Sequence, residues 1–160
     1  DKSLFRSAVN QQMPIDKDGD KEEAYNNKKL WNKPFEDYSY LPKPNLSASD
    51  SVSHSQAGVS PKTLKKMKQG RISYAPYIDL HGQKIEEAFQ SLSKFIHYHD
   101  NERFIQIIHG KGYNSDQKLS ILKSQVVHYL KQHPQVLAFC SCPQKMGGTG
   151  ALFVYLKGNV

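Results

Sequence analysis

Asp79 and His81 are the residues of this sequence best suited to acid–base chemistry. They end a short apolar run that stops at Gly82. Side chains in a β-strand alternate between its faces, so a strand here would point Asp79 and His81 the same way. A carboxylate beside an imidazole fixes its tautomer and stabilises its protonated form. Most such triplets are only polar residues at a strand end, so a catalytic interpretation needs support from further along the chain.

A second histidine opens a glycine-containing loop, His109-Gly110-Lys111-Gly112, which follows one predicted strand and precedes a helix. Glycines there let the backbone approach a phosphate, whose charge the helix N-terminus and Lys111 would favour. Glycines also end strands for purely conformational reasons. The flanking histidine and the internal lysine favour anion binding over that alternative.

Near the end of the chain a third motif, Gly147-Gly148-Thr149-Gly150, follows Lys145. It predicts either a second backbone cradle for phosphate or a plain flexible hairpin turn.

Apolar periodicity predicts the elements that must position these motifs. The predicted order is β-α-β-α-β-β, with strands at Tyr77–Leu80, Arg103–Ile108, Val136–Cys142 and Ala151–Leu156, and helices at Lys84–Asp100 and Asp116–Gln132. Ser115 is a candidate cap of the second helix.

This order predicts an α/β (α+β) two-layer sandwich with a four-stranded mixed sheet and the helices mostly on one face. Right-handed crossovers make the first three strands parallel, and a short turn makes the fourth antiparallel to the third. His81, His109 and the turn at 146–150 should then meet at the carboxyl edge of the sheet, where open α/β sheets bind ligands.

The sequence before residue 74 is polar and interrupted by prolines. This composition predicts two regions, a largely irregular basic extension at 1–73 and a folded domain at 74–158. Residues 3–9 are compatible with a short helix. Trp31, Phe35, Tyr38 and Tyr40 could dock on a partner or cover the domain itself. The serine-rich segment Ser47–Ser60 is typical of a flexible linker.

Basic residues concentrate just before the first predicted strand. Ser60-Pro61 predicts the start of a helix at Lys62–Gln69, ended by Gly70. The helix carries Lys65, Lys66 and Lys68. It leads into the amino end of the strand, opposite the chemistry, unless it folds back along the sheet. We expect it to add affinity for phosphate without a catalytic role.

Composition restricts the classes of function. A net charge of +7 favours polyanionic partners. No apolar run approaches the ~20 residues that a membrane span needs. Cys140 and Cys142 are too close along one strand to bridge, and no histidine joins them at zinc spacing. These features predict a cytoplasmic protein with reduced thiols, no membrane partner and, by default, a monomeric state.

The three motifs together resemble the signature of the Smr (small MutS-related) domain. They read Asp79-Leu80-His81-Gly82, then Ile107-Ile108-His109-Gly110-Lys111-Gly112, then Gly147-Gly148-Thr149-Gly150-Ala151-Leu152. The resemblance extends over 71–157. The basic segment at 64–70 is similar to the lead-in of short bacterial stand-alone Smr proteins.

The resemblance implies a βαβαββ domain similar to the C-terminal domain of translation initiation factor 3. It also implies endonuclease activity on DNA or RNA, with Asp79, His81 and His109 carried over as site residues. Gln83 stands where many relatives have an apolar residue, outside the motif.

Two hypotheses follow. In the first, the protein cleaves phosphodiester bonds. His81 takes a proton from an RNA 2′-hydroxyl, His109 protonates the leaving oxygen or binds the phosphate, and the glycine loops with Lys111 stabilise the charge. On DNA, a divalent cation such as Mg²⁺ at Asp79 would activate a water instead. In the second, the chain is a non-catalytic or ribosome-associated nucleic-acid-binding module. By analogy with family members, the ribosome hypothesis extends to cutting messenger RNA on stalled ribosomes.

Overall fold

A computed structural model of the chain describes residues 34–112 and 119–158. The described residues from Phe35 onward belong to one compact unit. Its helices and strands, in chain order, are β1 Ser53–Ser55, α1 Pro61–Gln69, β2 Tyr77–Asp79, α2 Ile85–Tyr98, β3 Phe104–Ile108, α3 Ile121–Gln132, β4 Val136–Ser141 and β5 Ala151–Leu156. Two short 3-10 turns, Gln144–Met146 and Gly148–Gly150, join β4 to β5.

The strands form one mixed sheet in the order β1-β4-β5-β3-β2. β2 is parallel to β3, and β5 is antiparallel to both β3 and β4. The strands β2, β3 and β4 therefore run in one direction, as the crossover rule predicts. The carboxyl ends of β2 and β3 and the turn after β4 all lie at the same edge.

The sheet has a fifth strand that the sequence does not predict. β1 pairs antiparallel with β4 inside the serine-rich segment expected to be flexible, with Ser53 opposite Cys140 and Ser55 opposite Ala138. The neighbouring Val52 amide donates to Ser141 Oγ at 2.8 Å. Backbone hydrogen bonds make this pairing, and the side chains of β1 are polar. The sequence therefore lacks the apolar alternation from which a strand is predicted.

Each face of the sheet has its own apolar core. On one face, α2 and α3 cover a cluster built on Phe89, Ile96, Ile107 and Leu130. On the other face, Met67 of α1 is fully buried in a second cluster with small and aromatic strand residues, which are Ala138, Cys140, Cys142, Ala151 and Phe153. The prediction of two helices on one face is confirmed, and α1 adds partial cover to the other.

Local signals explain the ends of α1. Ser60 Oγ accepts a hydrogen bond from the Lys62 amide, Pro61 occupies the first helical position, and Gly70 ends the helix in a left-handed conformation with φ of 73°. The predicted bounds of this helix are correct to one residue.

The start of α3 corrects a prediction. The helix begins at Ile121, where Ser120 Oγ accepts from the Lys123 amide at 3.3 Å, and not at Asp116. Leu119 instead forms a bridge with Ser47. The predicted cap, Ser115, lies outside the described residues. A long-range bridge therefore sets this boundary, where the apolar pattern alone extended the helix.

Phe35, Tyr38 and Tyr40 cover the domain itself, as one of the two interpretations of these aromatic residues predicts. Tyr38 packs edge-on to Phe89 and Tyr129, both at 5.0 Å between ring centroids, and Phe35 contacts Tyr129 at 5.7 Å. Tyr40 stacks on Phe89. Trp31 and the predicted helix at 3–9 lie outside the described residues.

Both cysteines are free and buried, as expected. Burial raises the pKa of Cys140 to about 11 and that of Cys142 to about 12, so both are neutral thiols near pH 7. Within the described ranges no helix is long and apolar enough to cross a membrane.

Candidate functional site

Asp79 and His81 form a hydrogen-bonded pair at the open end of β2. His81 Nδ1 lies 2.6 Å from Asp79 Oδ1, and the His81 amide donates to the same oxygen at 3.1 Å. The histidine side chain is 70% exposed and the aspartate 42%. A carboxylate holding Nδ1–H leaves Nε2 free to accept a proton from a bound molecule.

His109 reaches the same edge through its backbone. The His109 and Gly110 amides both donate to the Gly150 carbonyl, at 3.1 and 3.0 Å. These bonds join the loop after β3 to the turn before β5. All three sequence motifs therefore converge at one edge of the sheet.

The ring of His109 is placed differently from the ring of His81. The side chain is 3% exposed, and Nδ1 contacts the Gly110 carbonyl at 2.7 Å. Among the described residues Nε2 has no hydrogen-bond partner. Burial lowers the pKa of His109 to about 4, opposed by the Gly110 hydrogen bond and assisted by the charge of Lys123. A neutral, enclosed imidazole is poorly suited to the direct acid role expected from the sequence.

The two faces of the sheet explain this difference. Ile105 and Ile107 point into the core beneath α2 and α3, and His109 continues that alternation. Asp79 is paired with Ile108, which faces the α1 side. His81 and His109 therefore share an edge of the sheet while their rings lie on different sides of it.

Glycines bring the loops into contact around His81. Gly110 has a φ of 79°, and a Cβ added to it would lie 3.0 Å from His81 Cβ. A Cβ at Gly150 would lie 3.2 Å from Lys111 Cγ and 3.4 Å from the Gly110 carbonyl carbon. Side chains at these two positions would push the motifs apart.

Several amides of the two glycine motifs are already hydrogen-bonded within the protein. Gly148 donates to Pro143 at 2.9 Å, and Gly150 donates to Gly147 at 3.1 Å. The Gly110 amide also donates to the Gly150 carbonyl. Three of the amides expected to bind phosphate therefore make hydrogen bonds within the protein instead. The half-buried Lys111 and the exposed Lys145 remain as side-chain cations at this edge.

The end of α1 lies beside the glycine turn and not at the far side of the sheet. A Cβ on Gly70 would meet Met146 Sδ at 2.6 Å and Pro143 Cγ at 2.9 Å. Lys68 lines a cavity of about 310 Å³ together with Gly148 and Thr149. The helix thus folds back along the sheet and brings its carboxyl end towards the candidate site.

The described residues offer little for a divalent cation. Asp79 is a single carboxylate, and its Oδ1 already accepts from His81. The described ranges contain no cluster of three or more histidine, cysteine, aspartate or glutamate residues arranged to hold a metal. The described residues at this edge therefore do not fit a divalent cation.

Two supporting residues are not recognisable as such from the sequence. Gln106 Nε2 donates to the Met146 carbonyl at 2.9 Å and fixes the turn after β4. Lys123 is fully buried and donates to the carbonyls of Ser47, Ala48 and Asp50. In the sequence, the only local signal of these roles is a glutamine inside an apolar strand. Both side chains bind backbone carbonyls that are distant in the chain, and local patterns do not predict such contacts.

The part of the chain that carries the three motifs matches a known family. The Smr domain family model matches residues 78–157, which is half of the chain. The ribosome rescue factor SmrB of Aliivibrio salmonicida is 34% identical over 116 residues, covering 71% of this chain and 62% of that protein. SmrB of Aeromonas hydrophila is 35% identical over 117 residues, covering 71% and 63%.

A solved structure is similar as well. YdaL, a stand-alone small MutS-related protein from Escherichia coli, has a TM-score of 0.61 and 27% identity, covering 80% of this chain and 96% of that one. The chain spans less than two thirds of the length of the SmrB relatives it matches.

Proposed function

This chain belongs to the Smr domain family, and on that premise we propose that it is an endonuclease that cuts messenger RNA on stalled ribosomes. The supporting observation is the Asp79–His81 pair, exposed at the carboxyl edge of the sheet. Relatives named as ribosome rescue factors support the ribosome as the partner. A protein acting on ribosomes works in the cytoplasm.

The reaction begins at the free nitrogen of His81. Nε2 takes the proton of a 2′-hydroxyl, and the 2′-oxygen attacks the adjacent phosphorus. The bond from phosphorus to the 5′-oxygen breaks, leaving a 2′,3′-cyclic phosphate and a 5′-hydroxyl. Asp79 holds Nδ1–H and stabilises the imidazolium that forms.

Two other groups support this step. Lys111 lies next to the joined loops and stabilises the charge that develops on phosphate. His109 acts as a positioning residue, because its backbone and ring fix Gly110 against Gly150. The leaving oxygen takes its proton from solvent, since the His109 ring is buried and neutral.

The test uses RNA and DNA strands of the same sequence, in excess Mg²⁺ and in excess chelator. We expect the RNA to be cut in both conditions and the DNA in neither. His81→Ala and Asp79→Ala should reduce the cleavage rate by at least 10²-fold, with RNA affinity unchanged within a few-fold. Cleavage of DNA that depends on Mg²⁺ would replace this reaction with attack by a water.

The ribosome is tested by sedimentation of lysates in which translation has been stalled. We expect wild-type protein to cut the messenger, and His81→Ala to remain with the ribosomes without cutting.

A second candidate function, a non-catalytic binding module, is favoured by the basic helix α1 and by the glycine-motif amides already used within the fold. Tight wild-type binding without cleavage of any substrate would establish this second function.

A further inference from the structure

Tyr77 presents an exposed ring beside the Asp79–His81 pair. Four large apolar or aromatic side chains of the described residues are exposed, Tyr40, Tyr74, Tyr77 and Ile121. Tyr40 is stacked on Phe89 at 5.1 Å. In the part of the chain that the structure describes, the ring of Tyr77 makes no aromatic contact, and 64% of the residue is accessible to solvent. An aromatic ring left open next to a reactive pair has a surface available for a ligand.

The strand geometry places Tyr77 on the same face as Asp79. Both residues lie in β2, two positions apart, so their side chains leave the same side of the strand. Two residues of strand span roughly 6.6 Å. Nucleotides in a stacked strand rise ~3.4 Å each. A base on Tyr77 would therefore lie about two nucleotides from a phosphate beside Asp79, whose carboxylate contacts the His81 ring.

On one side of Tyr77, β2 is paired with β3, and on the other side β2 is the edge of the sheet. The partner of Tyr77 in β3 is Gln106, which is tied to the Met146 carbonyl. On its other side β2 is the last strand of the sheet. Ser51–Ile78 contains basic residues and no acidic one, so the approach to β2 favours a polyanion.

We propose that Tyr77 is a stacking platform for an unpaired base next to the cleaved phosphodiester, so that the site takes single-stranded RNA and rejects duplex. Every base has a π-face, so such a platform binds strands of any sequence. In a duplex the bases stack on one another, and their faces are not available to the ring. This inference rests on the proposed function for the location of the cut and adds the structural class of the substrate.

The test measures binding in the His81→Ala background, in which the RNA stays intact. Tyr77→Ala should weaken binding of a single-stranded oligonucleotide by roughly 5- to 150-fold. Binding of a duplex of the same length should change less than two-fold, and Tyr77→Phe should keep the single-strand affinity. Tyr74→Ala is the matched control, since Tyr74 is equally exposed at 64% and precedes the strand. Equal losses in the Tyr77 and Tyr74 variants, or equal losses for single strand and duplex, would overturn the proposal.

A second measurement locates the base. Single abasic sites are placed in turn along the RNA, and the cleavage rate is measured at subsaturating substrate. In the wild type one position within two nucleotides of the cut should be most sensitive, and Tyr77→Ala should lose that sensitivity. A position effect that survives in Tyr77→Ala would exclude the platform. If the wild type cuts no RNA, the proposed function fails while the binding test still decides the role of Tyr77.

Discussion

His81 is positioned by two kinds of contact. Asp79 fixes the ring from the side by accepting its Nδ1–H, and Gly110 lies so close to the base of the side chain that a Cβ added to it would be 3.0 Å from His81 Cβ. The first contact sets the tautomer, and the second sets where Nε2 lies relative to the loop that carries Lys111. Displacing a reacting group by about 1 Å can cost 10²-fold in rate.

Gly110→Ala tests the second contact. The new Cβ would lie 3.0 Å from His81 Cβ, whereas Gly82→Ala introduces a Cβ with nothing within 4 Å. The φ angles of the two glycines are nearly equal, 79° and 77°, so both variants bear similar backbone strain. We expect cleavage of RNA to fall by roughly 10- to 100-fold in Gly110→Ala and by less than three-fold in Gly82→Ala. Equal rates in the two variants would show that the contact with His81 does not matter.

The helix α1 carries the basic residues that precede β2, and its carboxyl end lies beside the glycine turn of the candidate site. Met67 anchors it to the sheet face that carries Asp79, and Gly70 fits between Pro143 and Met146. Lys65, Lys66 and Lys68 are exposed on this anchored helix. We expect these cations to raise the affinity for RNA without contacting the reacting atoms.

Replacing Lys65, Lys66 and Lys68 by glutamine tests that role. Binding of RNA should weaken across sequences, and the slope of log affinity against log salt should flatten by about 0.7 for each lost phosphate contact on a single strand. The cleavage rate at saturating RNA should stay within a few-fold of wild type. An unchanged salt slope would show that these lysines are only solvated, and a collapse of saturated turnover would give them a catalytic role.

At the scale of the molecule, residues 35–73 are part of the same folded unit as the predicted domain. They contribute β1, α1 and the rings that pack on Phe89 and Tyr129. Lys123 is fully buried and satisfies three carbonyls of this region. Each such contact removes apolar surface from water or satisfies a buried polar group.

A truncation tests this dependence. A chain beginning at Tyr74 should unfold roughly 10 °C or more below a chain beginning at Pro34, because both cores lose side chains that cover them. Thermal unfolding followed by circular dichroism measures the difference. Equal midpoints would establish residues 74–158 as an independent domain.

The stability of the whole molecule should also depend on pH through two buried histidines. His109 is 3% and His133 4% exposed, and burial lowers the pKa of each to about 4. The unfolded chain has a histidine pKa of about 6.5, so between pH 6.5 and 4 it binds more protons than the folded chain. The free energy of unfolding should therefore fall as the pH falls through this window, by up to ~1.4 kcal/mol per pH unit for each histidine.

Urea unfolding at pH 6.5 and pH 5 measures this loss. His133→Gln should reduce the dependence on pH, and the proton resonances of His109 and His133 should not titrate above pH 5. A variant that keeps the wild-type dependence would assign the effect to other groups.

The sequence alone determined the features that depend on local periodicity. The spacing of two residues predicted that Asp79 and His81 would lie together. β2 ends at Asp79, and the turn after it brings His81 Nδ1 to 2.6 Å from Asp79 Oδ1. The crossover rule predicted that the three motifs lie at one edge of the sheet. Ser60-Pro61 and Gly70 set the first and last residues of α1.

Tertiary structure decided what depends on partners distant in the chain. The ring of His109 is buried because its strand faces the core under α2 and α3, and its amide is bound by Gly150, 41 positions away. β1, the start of α3 and the position of α1 beside the glycine turn were set in the same way, by β4, Ser47 and Met146. Local patterns report which faces of an element are apolar, and only packing decides which neighbour covers each face.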